Sequence, residues 1–369
     1  MRIALISPFF PLKGGIARFS GLLEAALRKQ GHDVVAVPFK QLYPDFIAKN
    51  AEATLQEDAQ LVLYNPFTWQ ETIRHLTSLK PDILLVAYWT GLLAPLCFVL
   101  RRFTGIRMVV LLHNLSSHES FFFEPIMQRL LAASSDGFLT LSEAVARQVS
   151  AAMPGTPQLT LFHPAYQPDA EQLSSFDARS AFNLDAHSPV LLFFGYVRHY
   201  KGLDILLRAM PAILQREPAL RLIVAGHFYE NVDRYRRLAE KLDISRNVDL
   251  YSGYVAPERT ALFFAAADAV VLPYRRATQS GVVQLAYGHG VPVIVTPVGA
   301  LPEMVCHGET GWIARDASPE GLAEAVEEFL ARREHVTSMR PAIEAFQREF
   351  SWERFAASAG SFLDTIARR

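Results

Sequence analysis

The chain has 369 residues, 50% of them hydrophobic and 20% charged, with a formal net charge of −1 at pH 7. This length and composition leave room for two globular domains, exclude an extensively disordered chain and argue against a broad nucleic-acid-binding surface. The two cysteines exclude a disulfide scaffold and fit a reducing cytoplasm.

The N-terminal segment predicts one β-α-β unit of a doubly wound sheet. An apolar run at 2–7 predicts a buried strand, a helix is predicted over 16–30, and a second strand over 34–37. Gly14 and Gly15 lie before the helix, where they let a phosphate or a sugar hydroxyl approach the backbone. The alternative is that they only make the turn. Since the N-terminal apolar run leads straight into this unit, we expect no signal peptide.

Two further apolar runs, 81–87 and 108–112, predict strands of the same sheet, and the second strand ends at His113. The carboxyl end of a parallel strand is a favourable position for a residue that takes part in chemistry. A single histidine is also a common structural hydrogen-bond partner, so both interpretations stay open at this point.

The apolar stretch 91–102 is too short and too interrupted to span a bilayer. It predicts either a buried helix or an amphipathic helix that lies at a membrane surface, with Arg101, Arg102 and Arg107 facing the lipid. The three consecutive phenylalanines at 121–123 fit either a core plug or an apolar lip on the acceptor side.

A polar, irregular stretch over 166–189 predicts a linker between two domains. The next strand, 190–194, leads into a loop with Arg198 and Lys201 before a helix at 203–214. Two cations three residues apart in front of a helix suit two neighbouring phosphates. A solvated basic turn is the alternative.

A second strand-loop-helix segment follows about eighty residues later. The strand at 269–272 precedes a polar loop at 278–281, a helix at 282–287 and another strand at 292–295. Free N–H groups and the positive end of the helix dipole suit an anion here, although an ordinary turn has the same pattern. Because both loops follow strands of one alternating series, they can face one crevice at the carboxyl edge of the sheet.

Five sequence pieces in this second half resemble the nucleotide-sugar domain of family-4 retaining glycosyltransferases of the GT-B fold, the bacterial group-1 glycosyltransferases. The pieces are FFGYVRHYKGLDILL, LIVAGHFYE, LYSGYVAPERTALFFAAADAVVLPY, GHGVPVIVTPVGALPEMV and CHGETGWIARDASPEGLAEAV. The resemblance extends more weakly over the first half. It implies an α/β chain with two Rossmann-like, doubly wound domains facing across a cleft. Residues 1–165 with a C-terminal helix at about 351–369 would form the acceptor-side domain, and residues 166–350 the nucleotide-sugar-binding domain.

The resemblance also implies roles for individual residues. His113 would contact the transferred sugar, and Gly14 and Gly15 would form the acceptor or sugar loop. The expected donor diphosphate ligands are two cations and the amides at a helix start: Arg198, Lys201, Ser280, Gly281 and Val282. The expected nucleotide contacts are Gly226, His227, Tyr254 and Val255. The expected catalytic residues are His113 and the two cations.

The chain departs from the family at two glutamate positions and, slightly, in the cation pair, where Arg198 stands three residues after Gly195 and the family's arginine usually follows the glycine directly. The family usually has two glutamates separated by seven residues, and Ala277 and Leu285 stand in their places here. Neither side chain can accept a hydrogen bond from a sugar or ribose hydroxyl. Thr278, Gln279 and Gln284 are uncertain substitutes, and on a helix Gln284 points about 100° away from Leu285. The Ala-Thr-Gln-Ser-Gly-Val variant resembles a subgroup of the same family, so we keep the enzymatic interpretation.

We therefore expect a retaining hexosyltransferase that moves a sugar from a UDP- or GDP-linked donor to a glycan or lipid-linked acceptor in cell-surface polysaccharide synthesis. The alternatives are a non-catalytic nucleotide-sugar-binding protein and a sugar-nucleotide epimerase of the same fold. Because no Asp-x-Asp pair stands at a strand end, we expect no metal, and no cofactor besides the nucleotide-sugar co-substrate. We expect a cytoplasmic protein, either free or peripheral at the inner face of the membrane, with no nucleic-acid partner.

Overall fold

The computed structural model describes residues 1–12, 14–42, 59–115, 123–166, 173–333 and 336–369. The chain forms two compact units, Met1–His163 with Ser351–Arg369, and Pro164–Phe350. Each unit contains a parallel β-sheet whose strands alternate along the chain with helices. The predicted α/β fold class is therefore confirmed.

The first unit begins with twelve strands and helices, which are β1 (Arg2–Ser7), α1 (Gly15–Lys29), β2 (Asp33–Gln41), β3 (Leu61–Val62), α2 (Pro66–Leu79), β4 (Ile83–Tyr88), α3 (Ala94–Thr104), β5 (Met108–Leu112), α4 (Glu124–Ser134), β6 (Gly137–Thr140), α5 (Glu143–Ala152) and β7 (Gln158–Thr160). Its sheet has the order β3-β2-β1-β4-β5-β6-β7.

The second unit contains α6 (Ser175–Ala181), β8 (Val190–Phe194), α7 (Leu203–Arg216), β9 (Arg221–Gly226), α8 (Val232–Lys241), β10 (Val248–Ser252), α9 (Pro257–Ala266), β11 (Ala269–Leu272), α10 (Gly281–Gly288), β12 (Val293–Val295), β13 (Gly311–Ile313), α11 (Pro319–Ala331) and α12 (Val336–Glu349). Its sheet has the order β10-β9-β8-β11-β12-β13. The last helix, α13 (Trp352–Ala367), belongs to the first unit, where Glu353 forms an ion pair with Lys29 of α1 at 2.9 Å.

The central strands are apolar along their whole length because helices cover both faces of each sheet. All six residues of β4 are buried, and so are all four of β11. This double burial explains why continuous apolar runs in the sequence predicted the strands. The predicted strands at 2–7, 108–112, 190–194 and 269–272 have those bounds in the structure.

The prediction of an irregular linker over 166–189 is wrong for the described part of that stretch. Helix α6 lies within it, and Ala178 and Phe182 are buried in the core of the second unit. The guanidinium of Arg179 forms an ion pair with Asp268 at 2.9 Å and hydrogen-bonds the Ser188 carbonyl. A buried, paired arginine thus ties this polar segment to the sheet, and composition alone does not reveal such a tie.

The strand order of the second sheet reverses between β8 and β11, which are neighbours although they are far apart in sequence. Ligands of open α/β sheets bind outside the carboxyl ends of the strands at such a switch point. The loops that follow β8 and β11 carry Lys201 and Ser280, so the fold brings the two predicted phosphate loops to one position.

Candidate functional site

The side chain of Lys201 lies between the two loops at the switch point of the second sheet. A Cβ placed on Gly195, at the end of β8, would be 3.5 Å from Lys201 Nζ and 3.6 Å from Val282 Cγ2. The ammonium also lies 5.3 Å from the ring centroid of Tyr274. The structure therefore brings together Lys201 and the start of α10, which were predicted to share a diphosphate.

Lys201 is a buried cation, with only 8% of its surface exposed. Burial lowers the pKa of Lys201; Tyr200 opposes this shift and the positive charge of Arg198 adds to it. Within the described ranges no carboxylate forms an ion pair with this ammonium. A buried charge is costly unless a counter-charge accompanies it, so the niche is suited to an anion that comes from outside the chain.

The start of α10 offers backbone donors to the same niche. Ser280 occupies the N-cap position, yet its hydroxyl does not cap the helix. It hydrogen-bonds the hydroxyl of Tyr274 instead, whose pKa is raised to about 12 by burial, an effect that this hydrogen bond reduces. The first N–H groups of a helix lack acceptors within the helix and lie at the positive end of its dipole. Gly281 and Val282 therefore present donors beside a buried cation.

The second predicted cation, Arg198, stacks on an aromatic ring. Its guanidinium carbon lies 3.9 Å from the ring centroid of Tyr229, and the side chain is exposed. The charge of Arg198 still lowers the pKa of Lys201, so the two cations are within electrostatic reach of each other. The structure thus places one cation inside the niche and the other at its exposed side.

An aromatic cluster lies beside Arg198 at the ends of β8 and β9. The ring centroids of Tyr196 and Tyr229 are 5.5 Å apart, and those of His227 and Tyr229 are 5.1 Å apart. His227 Nε2 is buried and has no hydrogen-bond partner within the described residues. His227 was predicted as a nucleotide contact, whereas Tyr196 and Tyr229 were not. The signal for them would have been aromatic residues directly after predicted strands.

The other predicted nucleotide contacts follow β9 and β10. Gly226 has φ +152°, and a Cβ on it would fall 1.8 Å from the carbonyl oxygen of Gly195, so only glycine fits there. Tyr254 is half exposed, and Val255 is partly buried against the core of the second unit. These residues lie at the same carboxyl edge as the lysine niche.

The substitutes considered for the missing glutamates differ in accessibility. Thr278 and Gln279 are half-buried in the loop after β11, whereas Gln284 is fully buried. Neither amide atom of Gln284 finds a hydrogen-bond partner among the described residues. Ala277 is buried as well, and its carbonyl would lie 1.5 Å from a Cβ on Gly299. Gln284 therefore presents no surface to a ligand in this structure.

His113 lies at the end of β5 in the first unit, as predicted, and is buried. Its ring centroid lies 4.9 Å from that of Phe19 in an edge-to-face arrangement. The ring centroid of His163 lies 5.4 Å from that of Phe19. Burial lowers the pKa of His113 to about 3, and the charge of His163 contributes in the same direction. The imidazole of His113 is therefore neutral at pH 7 and can take part in hydrogen bonds but not in charge stabilisation. His163 was not singled out from the sequence.

Gly14 and Gly15 lie at the start of α1. Gly14 has φ +135°, in the range that favours glycine, and no described atom outside the neighbouring residues lies within 4 Å of a Cβ placed on either residue. The space over this loop is thus open to a group larger than hydrogen. No group of three or more potential metal ligands among His, Cys, Asp and Glu occurs in the described ranges.

The Leu-rich stretch of the first unit forms α3 and belongs mostly to the core. Leu96 and Leu100 are fully buried, as the buried-helix interpretation expected. Two of the three arginines assigned to a membrane surface pair with Asp136 instead, Arg101 at 3.1 Å and Arg107 at 3.8 Å. One carboxylate faces two guanidinium groups here, so these arginines are paired within the unit but keep a net positive charge. Membrane contact through them stays a prediction.

A set of exposed side chains remains on α3, on α4 and just before α3; the two helices pack side by side, and we call this set the patch. Its members are four apolar and two basic side chains: Leu92, Phe98, Phe103, Ile126, Arg102 and Arg129. A groove of about 270 Å³ lies beside two of them, Phe98 and Arg102, and is also lined by Arg101, Gly105 and Ala133. Of the predicted phenylalanine lip, Phe121 and Phe122 lie outside the described residues. None of the helices in the described ranges has both the length and the hydropathy that crossing a bilayer requires.

Comparison with known proteins identifies the family. A glycosyl transferase 4-like domain matches residues 14–165, and a domain of the glycosyl transferases group 1 matches residues 188–332. The chain thus belongs to the group-1 glycosyltransferases with the GT-B fold.

Among the relatives, D-inositol 3-phosphate glycosyltransferase of Corynebacterium aurimucosum is 30% identical over 206 residues, 54% of this chain and 48% of that protein. The chain therefore spans about half the length of this relative. The enzyme of the same name from Segniliparus rotundus is 26% identical over 349 residues, 88% of this chain and 73% of that protein.

Solved structures share the fold over nearly the whole chain. Sucrose-phosphate synthase from Thermosynechococcus elongatus has a TM-score of 0.78 at 19% identity, covering 99% of this chain and 98% of that one. Anabaena HepE in complex with UDP has a TM-score of 0.77 at 15% identity, covering 99% and 100%.

Proposed function

We propose that the chain is a sugar transferase whose second unit binds a nucleoside diphosphate sugar. The observation that carries the proposal is the buried ammonium of Lys201 beside the start of α10, with no carboxylate partner in the described ranges. A diphosphate would supply the missing negative charge. Membership of the glycosyltransferase family supports this choice, as does the UDP-glucose complex of Anabaena HepE, which has the same fold.

The proposed chemistry needs a stabilised leaving group. When the bond from the sugar's anomeric carbon to the diphosphate breaks, its electron pair stays on the diphosphate oxygen. The Lys201 ammonium and the amides at the start of α10 stabilise that charge as it develops. Arg198 adds a third positive group at the exposed side of the niche.

We propose a retaining reaction, in line with the family resemblance. The acceptor hydroxyl attacks the anomeric carbon on the face from which the diphosphate departs, and its proton passes to a diphosphate oxygen. The neutral imidazole of His113 hydrogen-bonds the transferred sugar. No protein carboxylate is assigned as base or nucleophile.

We also propose that the reaction needs no metal ion, because the Lys201 ammonium takes the place of a divalent cation at the diphosphate. We expect UDP- or GDP-linked sugars as donors and a glycan or lipid-linked acceptor of cell-surface polysaccharide synthesis. We place the reaction in the cytoplasm, with peripheral contact at the inner face of the membrane through the patch on α3 and α4.

The binding site is tested by comparing Lys201→Met with Lys241→Met, an exposed lysine at the end of α8. UDP, GDP and ADP are titrated calorimetrically into wild type and both variants. We expect Lys201→Met to weaken the preferred nucleotide at least about tenfold, as loss of a charge-assisted bond of about 1.5–3 kcal/mol requires, and Lys241→Met to leave it unchanged. Equal affinity in both variants would remove Lys201 from the site.

Turnover separates the proposed activity from its alternatives. Nucleoside diphosphate sugars are incubated with enzyme in EDTA, with water or an added glycan as the acceptor of the sugar, and free nucleoside diphosphate is measured by chromatography. A transferase releases it, a binding protein leaves the donor intact, and an epimerase changes the sugar without releasing nucleotide. Activity that is lost in EDTA and restored by Mg²⁺ would contradict the proposed metal independence.

A further inference from the structure

We infer that Arg275 and Asp204 form a positioning pair that sets the place of the Lys201 ammonium relative to the start of α10. The inference rests on the diphosphate site proposed above and concerns two residues that touch no ligand there. It assigns the pair an effect on binding that acts through Lys201.

The pair joins the two loops of the switch point by a fork of hydrogen bonds. Arg275 Nη1 donates to Asp204 Oδ1 at 2.8 Å, and Nη2 donates to Asp204 Oδ2 at 2.7 Å. Arg275 Nη1 also donates to the carbonyl of His199 at 3.0 Å, and the Arg275 N–H donates to the carbonyl of Tyr200 at 2.7 Å. Arg275, in the loop after β11, therefore bonds to residues on both sides of Lys201 in the sequence. His199 and Tyr200 precede the lysine, and Asp204 follows it.

A close backbone contact also limits how far the same two loops can move relative to each other. Gly202 has φ +68°, and a Cβ on it would fall 1.9 Å from the carbonyl oxygen of Pro273. Lys201 immediately precedes this contact, and Tyr274, whose ring faces the ammonium, immediately follows it in the other loop. A shift of one loop against the other would therefore move the ammonium relative to α10.

The charge of Arg275 is already compensated, which separates its role from that of Lys201. Burial raises the pKa of Asp204, but the hydrogen bond and charge of Arg275 more than offset this effect, so the pKa is lowered. Asp204 is thus ionised at pH 7 and neutralises the guanidinium. Arg275→Met makes the pair negative and Asp204→Asn makes it positive, so a loss of diphosphate binding in both variants would come from geometry, whereas removing Lys201 weakens binding through charge.

The chain offers two matched controls. Arg276 is the next residue in the same loop, is exposed and forms no ion pair within the described ranges. Arg221 and Asp249 form an ion pair of similar exposure, with Nη2 2.5 Å from Oδ2, near the amino ends of β9 and β10, away from the loops. The first control reports loss of a nearby charge, and the second reports loss of a comparable ion pair.

The test is a double-mutant cycle between Arg275→Met and Lys201→Met, with UDP and inorganic pyrophosphate as calorimetric probes. We expect Arg275→Met and Asp204→Asn each to weaken both probes about tenfold, and Arg276→Met and Asp249→Asn to change them less than about threefold. In the Arg275→Met background, we expect Lys201→Met to reduce the affinity for either probe only slightly further. In the Arg276→Met background, Lys201→Met should reduce the affinity as much as it does in the wild type.

Asp204→Asn serves as the second route if Arg275→Met does not fold. Wild-type affinity in either variant, or losses from Arg275→Met and Lys201→Met that simply add, would overturn the positioning role while leaving the diphosphate site in place. A wild type that binds neither probe would overturn the proposed function and this inference with it.

Discussion

The proton affinity of the Lys201 side chain depends on whether an anion is bound beside it. Burial lowers the pKa of the free side chain from its ordinary 10.5, while a bound diphosphate would raise it again. Between these two pKa values, binding must take up a proton, so affinity falls as pH rises, by at most about tenfold per pH unit. At pH values below the lowered pKa, the lysine is charged in both states and the affinity is constant with respect to this group.

We therefore expect UDP affinity to be constant at pH values below the lowered pKa of Lys201 and to fall as pH rises through it. Calorimetry in two buffers of different ionisation enthalpy measures the proton uptake directly. In Lys201→Met the uptake should vanish. Proton uptake of the same size in that variant would assign the effect to another group.

Individual site residues were predictable where a local pattern existed. Lys201 stands after an apolar run and before a helix, and Ser280 stands in the same position in the loop that follows β11. The pairing of Arg275 with Asp204 joins residues 71 positions apart and has no spacing signature. The stacking of Arg198 on Tyr229 is likewise a matter of tertiary packing, and a sequence pattern shows only that both follow strands.

At the scale of elements, the strand ends depend on how closely one backbone approaches the next. Gly226 is the last residue of β9, and Gly253 directly follows the neighbouring strand β10, with φ +152° and +140°. A Cβ on Gly226 would fall 1.8 Å from the carbonyl oxygen of Gly195, whereas a Cβ on Gly253 would meet no described atom within 4 Å. A side chain would strain the backbone at both positions, but only at Gly226 would its Cβ collide with a neighbouring backbone.

This difference predicts unequal costs for the same substitution. Gly253→Ala should lower the free energy of unfolding only through backbone strain, by about 1–3 kcal/mol. Gly226→Ala should lower it by about 1–3 kcal/mol more, because the neighbouring backbone must also move. Urea unfolding monitored by circular dichroism gives both values. Gly226→Ala should also weaken UDP binding, since Gly195 borders the Lys201 niche. Equal destabilisation of the two variants would contradict the close approach.

Elements were predictable from the sequence in proportion to their burial. Strands buried on both faces, such as β8 and β11, are continuous apolar runs with turn residues at their ends, so their bounds were predicted correctly. Helix α6 was missed because it is short and mostly polar, and its tie to the core is the side chain of Arg179. A single buried ion pair can hold a segment that hydropathy assigns to a linker.

At the scale of the whole molecule, family resemblance supplied more than periodicity could. Apolar runs predict alternating strands and helices, but the strand orders of the two sheets follow from long-range pairing. The same limit applies to surfaces. The sequence suggested three basic residues near α3, and only the structure shows that two of them share the single carboxylate of Asp136. The exposed patch therefore depends on Arg102 and Arg129, together with apolar side chains from two helices.

The patch on α3 and α4 predicts weak, salt-sensitive attachment of the whole protein to anionic membranes. Each basic residue near such a surface contributes about 1 kcal/mol, so Arg102 and Arg129 together give about 2 kcal/mol. Insertion of an exposed phenylalanine adds at most about 1.5–3 kcal/mol. Co-sedimentation with vesicles of phosphatidylcholine and phosphatidylglycerol at low and high salt measures the attachment.

Phe103→Ser and Arg102→Gln should each reduce the bound fraction at low salt. Phe176→Ser is the matched control, because Phe176 in the second unit is 69% exposed and Phe103 is 67% exposed. Since electrostatic attraction is screened by salt, high salt should release the protein from the vesicles and abolish the effect of Arg102→Gln. No binding of wild type at low salt, or an equal loss in the Phe176 variant, would rule out this patch as a membrane contact.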